Sequence, residues 1–204
     1  MPDITLIQAL QNPAFFNHPI SHFQVIETHI SWVMLTGDYA YKIKKPVDLG
    51  FLNFSSLEKR HHYCLQELAL NRRLAPQIYL DVIAIGGKPE SPVLGAKPII
   101  EYAVKMRQFS QSARLDNVLA SHGLKPEHID QLADNIAAFH EQIEIAGKDS
   151  DYGSPASVLE PIEENFQQIF TLLSDGGDIR QLDALKSWSL TQYAQLLSHI
   201  KQRK

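Results

Sequence analysis

The segment from Asp38 to Pro76 constrains the fold more than any other part of the 204-residue sequence. Its first part, D-Y-A-Y-K-I-K-K-P, is an aromatic and β-branched run whose residues alternate between two faces, which predicts a strand. Its second part opens with Ser55 and has Glu58 three residues later, a capping-box pattern, followed by apolar residues at helical spacing. The segment therefore predicts a strand followed by a long amphipathic helix that ends before Pro76.

Two charged residues of this segment are candidates for a paired site. Lys42 shares its predicted strand face with Ala40 and Lys44, and Glu67 lies on the helix about two turns before its end. A lysine on an inward strand face loses hydration, and a carboxylate or a bound phosphate offsets that cost. The prediction is an ion pair between Lys42 and Glu67, with Lys44 as the rival lysine. The alternatives are a solvated strand edge and a solvated helix glutamate.

Several strings in this region resemble a known family. Y-A-Y-K is similar to the V-A-I-K pattern of protein kinases, and E-L-A-L-N-R-R-L-A has the E-x-x-x-x-x-x-L-A spacing of aminoglycoside-phosphotransferase-like sequences. The longer string I-E-T-H-I-S-W-V-M-L-T-G-D-Y-A-Y-K-I-K-K-P-V-D-L-G-F resembles bacterial members of that family, which are often fused to a P-loop ATPase or kinase domain. The resemblance covers most of the chain. It implies an α+β, protein-kinase-like small lobe of about five antiparallel strands and one helix, followed by helices of the large lobe.

The resemblance also implies roles for individual residues. Lys42 would hold the α- and β-phosphates of ATP, Glu67 would orient it, and small Ala40 would leave room for adenine. The string M-R-Q-F resembles the hinge at the end of the fifth strand, whose backbone binds adenine. Three residues are therefore hinge candidates: Met106, Arg107 and Gln108. ATP and Mg²⁺ are the implied cofactors of the complete enzyme, and its acceptor is an unknown small molecule.

The sequence departs from the family pattern at two places. The first predicted turn, around Thr28, His29 and Ser31, has no glycine where kinases place a glycine-rich phosphate loop. The string H-G-D-L-H-x-x-N, which would supply the acceptor-positioning and metal-binding groups, does not occur. We therefore expect the N-terminal portion of an ATP-dependent small-molecule phosphotransferase, inactive alone. The alternatives are a non-catalytic nucleotide-binding or regulatory module of a fused or partner ATPase, and an interaction module without nucleotide.

The remaining patterns predict two regions. Residues 1–109 are predicted to form the kinase-like lobe, with a short leading helix within residues 4–16 and a Pro-rich turn between its last two strands. Residues 110–204 are predicted to be helical and to form the incomplete C-terminal lobe, with its last two helices at about 156–174 and 178–203.

Charge and composition exclude several classes of protein. The net charge is −4, with 11 Lys and Arg against 9 Asp and Glu in residues 1–109, and 8 against 14 in residues 110–204. The acidic second part argues against a nucleic-acid partner, and Lys59, Arg60, Arg72 and Arg73 are predicted to be solvated. The single cysteine and the spacing of the histidines predict no metal site. With no apolar run of membrane-spanning length, we expect a cytoplasmic protein.

Overall fold

The structure, a computed structural model, describes residues 4–204, so residues 1–3 of the predicted N-terminal lobe lie outside it. The described chain is of the α+β class and has a six-stranded antiparallel sheet. The strands are β1 Gln24–Glu27, β2 Ser31–Leu35, β3 Tyr39–Lys44, β4 Tyr79–Lys88, β5 Ser91–Leu94 and β6 Ile99–Arg107. The α-helices are α1 Ile4–Ala9, α2 Leu57–Arg72, α3 Leu115–Ala120, α4 Pro126–Gln142, α5 Pro155–Leu172 and α6 Gly176–Arg203. The chain divides into two compact units, the first ending at Phe139 and the second spanning His140–Lys204.

The lysine-bearing strand β3 lies inside the sheet, whose strand order is β1-β2-β3-β6-β4-β5. It pairs with β2 on one side and β6 on the other, so that Lys42 is opposite Val33 and Val104. The turn that leads into β3 contains Gly37 at φ 100°, a conformation that residues with a side chain rarely adopt. The N–H of Gly37 also donates to Oε1 of Gln108 at 3.0 Å, which joins this turn to the end of β6.

The two faces of the sheet are covered by different elements. On one face, β3 contributes Tyr41 and Ile43 to an apolar core shared with α1 and with the 3-10 helix Pro13–Phe15. This core contains the buried residues Leu6, Ile7, Leu10, Phe16, Met34, Tyr41, Ile43, Ile85 and Ala103. On the other face, α2 packs on β4 and β6. The alternation predicted for β3 is therefore present, and its lysines Lys42 and Lys44 face the side that carries α2.

The helix α2 begins one residue later than the capping-box pattern predicted. Its N-cap is Ser56, whose side-chain oxygen accepts a hydrogen bond from the N–H of Lys59 at 3.2 Å. Ser55, the predicted cap, instead donates its hydroxyl to Asn53 in the preceding loop at 2.6 Å. The helix ends at Arg72, whose guanidinium donates to the backbone oxygen of Tyr79 at 2.8 Å and so links it to β4.

The prediction of about five strands missed β5, which lies in the segment predicted to be a Pro-rich turn. This strand pairs with β4 alone and is an edge strand, which is where a residue such as Pro92 is tolerated. Gly86 on β4 has space for no side chain, because a Cβ there would lie 1.8 Å from the backbone oxygen of Ala96. The segment after β5 therefore passes against the backbone of β4, and this close approach is invisible in local periodicity.

The described residues that follow Arg107 form helices and contain no strand, as the sequence predicted. Within the second unit, α5 and α6 pack together, and the hydroxyl of Tyr193 donates to the backbone oxygen of Pro155 at 2.9 Å. Side-chain oxygens of Ser154 and Asp175 cap the two helices. In residues 4–204, no helix has both the length and the apolar character needed to cross a membrane.

Candidate functional site

A pocket of about 150 Å³ lies on the α2 side of the sheet, where β2, β3 and β6 run side by side. Its wall is mostly apolar, and it includes the four residues to which the family resemblance assigns a place around adenine. The lining residues are Ile26, Val33, Leu35, Ala40, Ile78, Met106, Arg107, Gln108, Phe109 and Gln111. Its small volume suits a single ring system better than a whole nucleotide.

Strand register explains why these residues converge. Ala40 is opposite Leu35 on β2 and opposite Met106 on β6. Directly opposed residues of antiparallel strands share one face of the sheet, so the three side chains form a row across the pocket. The small side chain of Ala40, at the centre of the row, leaves the space that a larger residue would fill.

The backbone at the end of β6 is partly engaged within the protein. The N–H of Arg107 donates to the oxygen of Ile78 at 2.8 Å, and the N–H of Gln108 donates to the oxygen of Asp38 at 2.9 Å. A base in the pocket would therefore bind other groups at this edge or replace one of these two bonds.

Lys42 and Glu67 form the ion pair that the sequence predicted, and the rival Lys44 joins it. The Nζ atom of Lys42 lies 2.8 Å from Oε1 of Glu67, and that of Lys44 lies 2.6 Å from Oε2. The side chain of Lys42 is 28% exposed, whereas that of Lys44 is 6% exposed. The two strand lysines therefore share one helix carboxylate, and Lys42 is the more accessible of the two.

The two ammonium groups determine the ionisation of Glu67. Burial on its own raises the pKa of this carboxyl group, but hydrogen bonds and charge interactions with Lys42 and Lys44 outweigh burial, so the net pKa lies below its ordinary value of 4.5. Glu67 is therefore an anion at neutral pH.

Tyr79 is a neighbour of the pair that the sequence reasoning missed. It is opposite Met106 in the β4–β6 register. Burial raises the pKa of its phenol, the charge of Glu67 raises it further, and the charge of Lys42 opposes this increase. With its pKa raised, the phenol of Tyr79 is neutral at neutral pH. Its strand was predicted, but its position beside a helix residue depends on the packing of α2.

The turn between β1 and β2 closes on itself. The hydroxyl of Thr28 accepts the N–H of Ser31 at 2.9 Å, and the N–H of Thr28 donates to the oxygen of Ser31 at 2.8 Å. The two hydroxyl groups also lie 2.9 Å apart. The hydroxyl groups of Thr28 and Ser31 and their two backbone N–H groups are thus hydrogen-bonded within the turn.

A second ion pair, between Arg60 and Glu101, contradicts the prediction that Arg60 is solvated. Nε of Arg60 lies 3.0 and 2.9 Å from the two carboxylate oxygens, and Nη1 donates to the backbone oxygen of Phe54 at 3.0 Å. Both charged residues are buried, and burial raises the pKa of Glu101 despite the opposing effect of Arg60. Helical spacing could have indicated that Arg60 faces the sheet, because it lies four residues before Cys64 and seven before Glu67 and so shares their face of the helix.

Metal ligands are not gathered anywhere in the described part of the chain. No three His, Cys, Asp or Glu residues among residues 4–204 are arranged so that they could hold an ion. The described residues therefore bring together an apolar pocket and a partly exposed ammonium group, with no cluster of three such ligands.

Comparison with known proteins gives relatives but no family. No family model matches the sequence, and no solved structure matches it. One uncharacterized protein of Mycobacterium bovis and two of Mycobacterium tuberculosis are each 36% identical to this chain over 130 residues. The match covers 61% of this chain but 24% of each relative, so this chain spans less than a quarter of their length.

Proposed function

We propose that the unit built on the sheet and α2 binds ATP as the N-terminal part of a small-molecule phosphotransferase of the aminoglycoside-phosphotransferase-like family, with a protein-kinase-like small lobe. The observation that carries the proposal is that the pocket and the ion-paired Lys42 lie on the same face of the sheet. Ala40 in the pocket and Lys42 in the ion pair are two residues apart on β3, which separates them by about 7 Å along the strand. A ribose lies between the base and the phosphates of a nucleotide, so one ligand could reach both.

Each group then has a distinct role. Adenine enters the apolar pocket beside Ala40 and the end of β6, where displacement of water from apolar surface favours its ring. Lys42 binds the phosphates as a charge-assisted donor, and Glu67 holds Lys42 in position. The acceptor is a small molecule, and the acidic charge of residues 110–204 suits a polycation. We propose a cytoplasmic location for this activity.

Titration calorimetry of the 204-residue chain with ATP and with adenosine tests the proposal. We expect Lys42→Met to weaken ATP binding by about tenfold or more, the scale of one charge-assisted hydrogen bond, and to leave adenosine binding unchanged. Ala40→Leu should weaken the binding of both ligands because the larger side chain fills the pocket.

Lys105→Met is the matched control. Lys105 is a partly exposed lysine on β6, opposite Tyr41 and therefore on the other face of the sheet, where its Nζ lies 4.0 Å from the ring centre of Tyr39. Its substitution should leave ATP affinity as it is. An unmodified chain that binds neither ATP nor adenosine, or a control variant that loses as much ATP affinity as Lys42→Met, would contradict the proposal.

A second candidate function is a non-catalytic nucleotide-binding or regulatory module of a partner or fused ATPase. It is favoured by the closed turn at Thr28, whose hydroxyl group is already hydrogen-bonded to Ser31. Both candidates bind ATP, so binding does not separate them. Sequencing the gene beyond codon 204 does, because a phosphotransferase requires a downstream D-L-H-x-x-N loop and a regulatory module does not.

A further inference from the structure

The ion cluster beside the pocket carries one more positive charge than a simple lysine–glutamate pair. Each oxygen of Glu67 binds one ammonium group, from Lys42 at 2.8 Å and from Lys44 at 2.6 Å. With both lysines and the glutamate charged, the three side chains have a net charge of about +1, whereas a pair would be neutral. The cluster therefore keeps a positive charge to offer to an anion.

The two lysines differ in exposure, and only Lys42 is exposed enough to bind a ligand directly. Lys44 is buried, and its Nζ lies 4.8 Å from the centre of the Phe54 ring as well as against Glu67. A buried ammonium that left its carboxylate would lose its compensation without gaining water. Lys42 is partly exposed and lies two residues from the pocket residue Ala40. Its ammonium group has three N–H donors, so it can bind a phosphate while it stays beside Glu67, whose other oxygen is bound by Lys44.

We infer that Lys44 is a positioning residue for the nucleotide site: it neutralises Glu67 and so frees the ammonium of Lys42 to bind phosphate. This inference rests on the proposed function and adds to it a residue that acts through Glu67, without touching the ligand. If Lys44 were absent, Glu67 would depend on Lys42 alone, and a phosphate would have to compete with a partly buried carboxylate for that single cation.

The experiment measures the affinity of the 204-residue chain for ATP and for adenosine by titration calorimetry. Lys44→Met should weaken ATP binding by about tenfold and change adenosine binding by less than about twofold, because adenosine has no phosphate to compete with Glu67. Lys44→Arg keeps the charge and should keep most of the ATP affinity.

The double variant Lys44→Met with Glu67→Gln is the sharpest comparison. It has no uncompensated carboxylate, so it should fold even where Lys44→Met alone does not. Because Lys44 acts through the charge of Glu67, this double variant should bind ATP within about threefold of Glu67→Gln alone.

Three results would overturn the inference, and they are distinct from failure of the proposed function. The first is a Lys44→Met variant that binds ATP as tightly as the unmodified chain. The second is a parallel loss of ATP and adenosine affinity, which indicates a merely structural role. The third is a Lys44→Met effect on ATP that persists undiminished in the Glu67→Gln background. An unmodified chain that binds no ATP would instead remove the proposed function on which the inference rests.

Discussion

At the scale of single residues, the buried and partly buried carboxylates that contact α2 or belong to it each lie at hydrogen-bond distance from a positive charge. Glu67 is held by two lysines of β3, and Glu101 is held by Arg60. Desolvation acts on both carboxyl groups, but two cations overcome it for Glu67 and one cation does not for Glu101. The two glutamates therefore have pKa shifts of opposite sign, and their effects on stability differ with pH.

We predict that Glu67→Gln makes the protein less sensitive to acid. The folded-state pKa of Glu67 lies below 4.5, so its contribution to the free energy of unfolding is present above about pH 4.5 and is lost as the pH falls through the folded value. Urea denaturation between about pH 6 and about pH 3 should show a smaller loss of stability for this variant than for the unmodified chain.

Glu101→Gln provides the opposite comparison. The folded-state pKa of Glu101 is raised, so its contribution is full below about pH 4.5 and is lost as the pH rises through the folded value. In Glu101→Gln, which lacks this contribution, the free energy of unfolding should therefore fall more steeply on acidification than in the unmodified chain. Parallel curves for all three proteins would contradict the assigned shifts.

Removal of Arg60 should be the most destabilising single change at a charged residue of α2. Arg60→Met leaves Glu101 buried without a cation and also removes the hydrogen bond to Phe54, so we expect the free energy of unfolding to fall by about 3–5 kcal/mol. Lys59→Met, an exposed neighbour, should change stability by less than about 0.5 kcal/mol. Urea denaturation measures both changes.

The double variant Arg60→Met with Glu101→Met tests whether the destabilisation by Arg60→Met comes from leaving Glu101 buried without a cation. Apolar replacement of both partners leaves no buried charge, so it should destabilise the protein less than Arg60→Met alone. An equal or larger loss would show that the packing of the arginine stem, and not the ion pair, is what matters.

At the scale of elements, polar contacts hold both ends of α2. The sequence pattern predicted the start of the helix to within one residue. Its N-terminus is capped by Ser56, and Arg72 in its last turn binds the backbone of β4. Between these ends, its inward face carries Arg60, Cys64 and Glu67 in place of a continuous apolar stripe. The helix therefore presents two ion-pairing side chains to the sheet, and its orientation depends on them as well as on hydrophobic contact.

We predict that the two adjacent serines before α2 differ in their effect on stability. Ser56→Ala removes the hydrogen bond to the N–H of Lys59 and should cost about 1 kcal/mol. Ser55→Ala, the matched control, removes an exposed contact with Asn53 and should cost less than about 0.5 kcal/mol. Thermal unfolding followed by circular dichroism checks the order, and a larger loss for Ser55→Ala would place the cap at the residue that the sequence indicated.

At the scale of the whole molecule, the chain has two compact units. The pocket, the buried Arg60–Glu101 pair and the cluster of Glu67 with its two lysines belong to the first unit. This unit ends at Phe139, so it includes α3 and most of α4 in addition to the sheet and α2. The proposed nucleotide contacts are thus complete within one unit. In the described residues of either unit, no three His, Cys, Asp or Glu side chains are arranged so that they could hold a metal ion.

We predict that the 204-residue chain alone transfers no phosphate to aminoglycosides or to other small alcohols. Phosphoryl transfer needs an aspartate for the acceptor hydroxyl and ligands for Mg²⁺, and the sequence has no H-G-D-L-H-x-x-N string to supply them. Incubation of the purified chain with labelled ATP, Mg²⁺ and a panel of acceptors checks this. A labelled product would show that other residues of this chain perform the chemistry.

By itself, the sequence determined the features that depend on local periodicity and local turn chemistry. Alternation defined β3 and the face shared by Ala40, Lys42 and Lys44, and helical spacing defined α2. These patterns also placed Glu67 where it could meet a lysine. The α+β class and the helical second part followed from the same signals, because a period of 2 or 3.6 residues is a property of neighbouring positions in the chain.

Only the tertiary structure decided what depends on contacts between distant segments. Local patterns predicted that Arg60 is solvated and that the Ser91–Leu94 segment is a turn. In the structure, Arg60 is buried in an ion pair with Glu101, and the segment is a strand because it pairs with the edge of β4. Local patterns also did not decide whether Lys42 or Lys44 pairs with Glu67. In the structure, the packing of α2 lets each lysine bind one oxygen of Glu67. Burial and ion pairing are set by the three-dimensional neighbours of a side chain, and no local period records them.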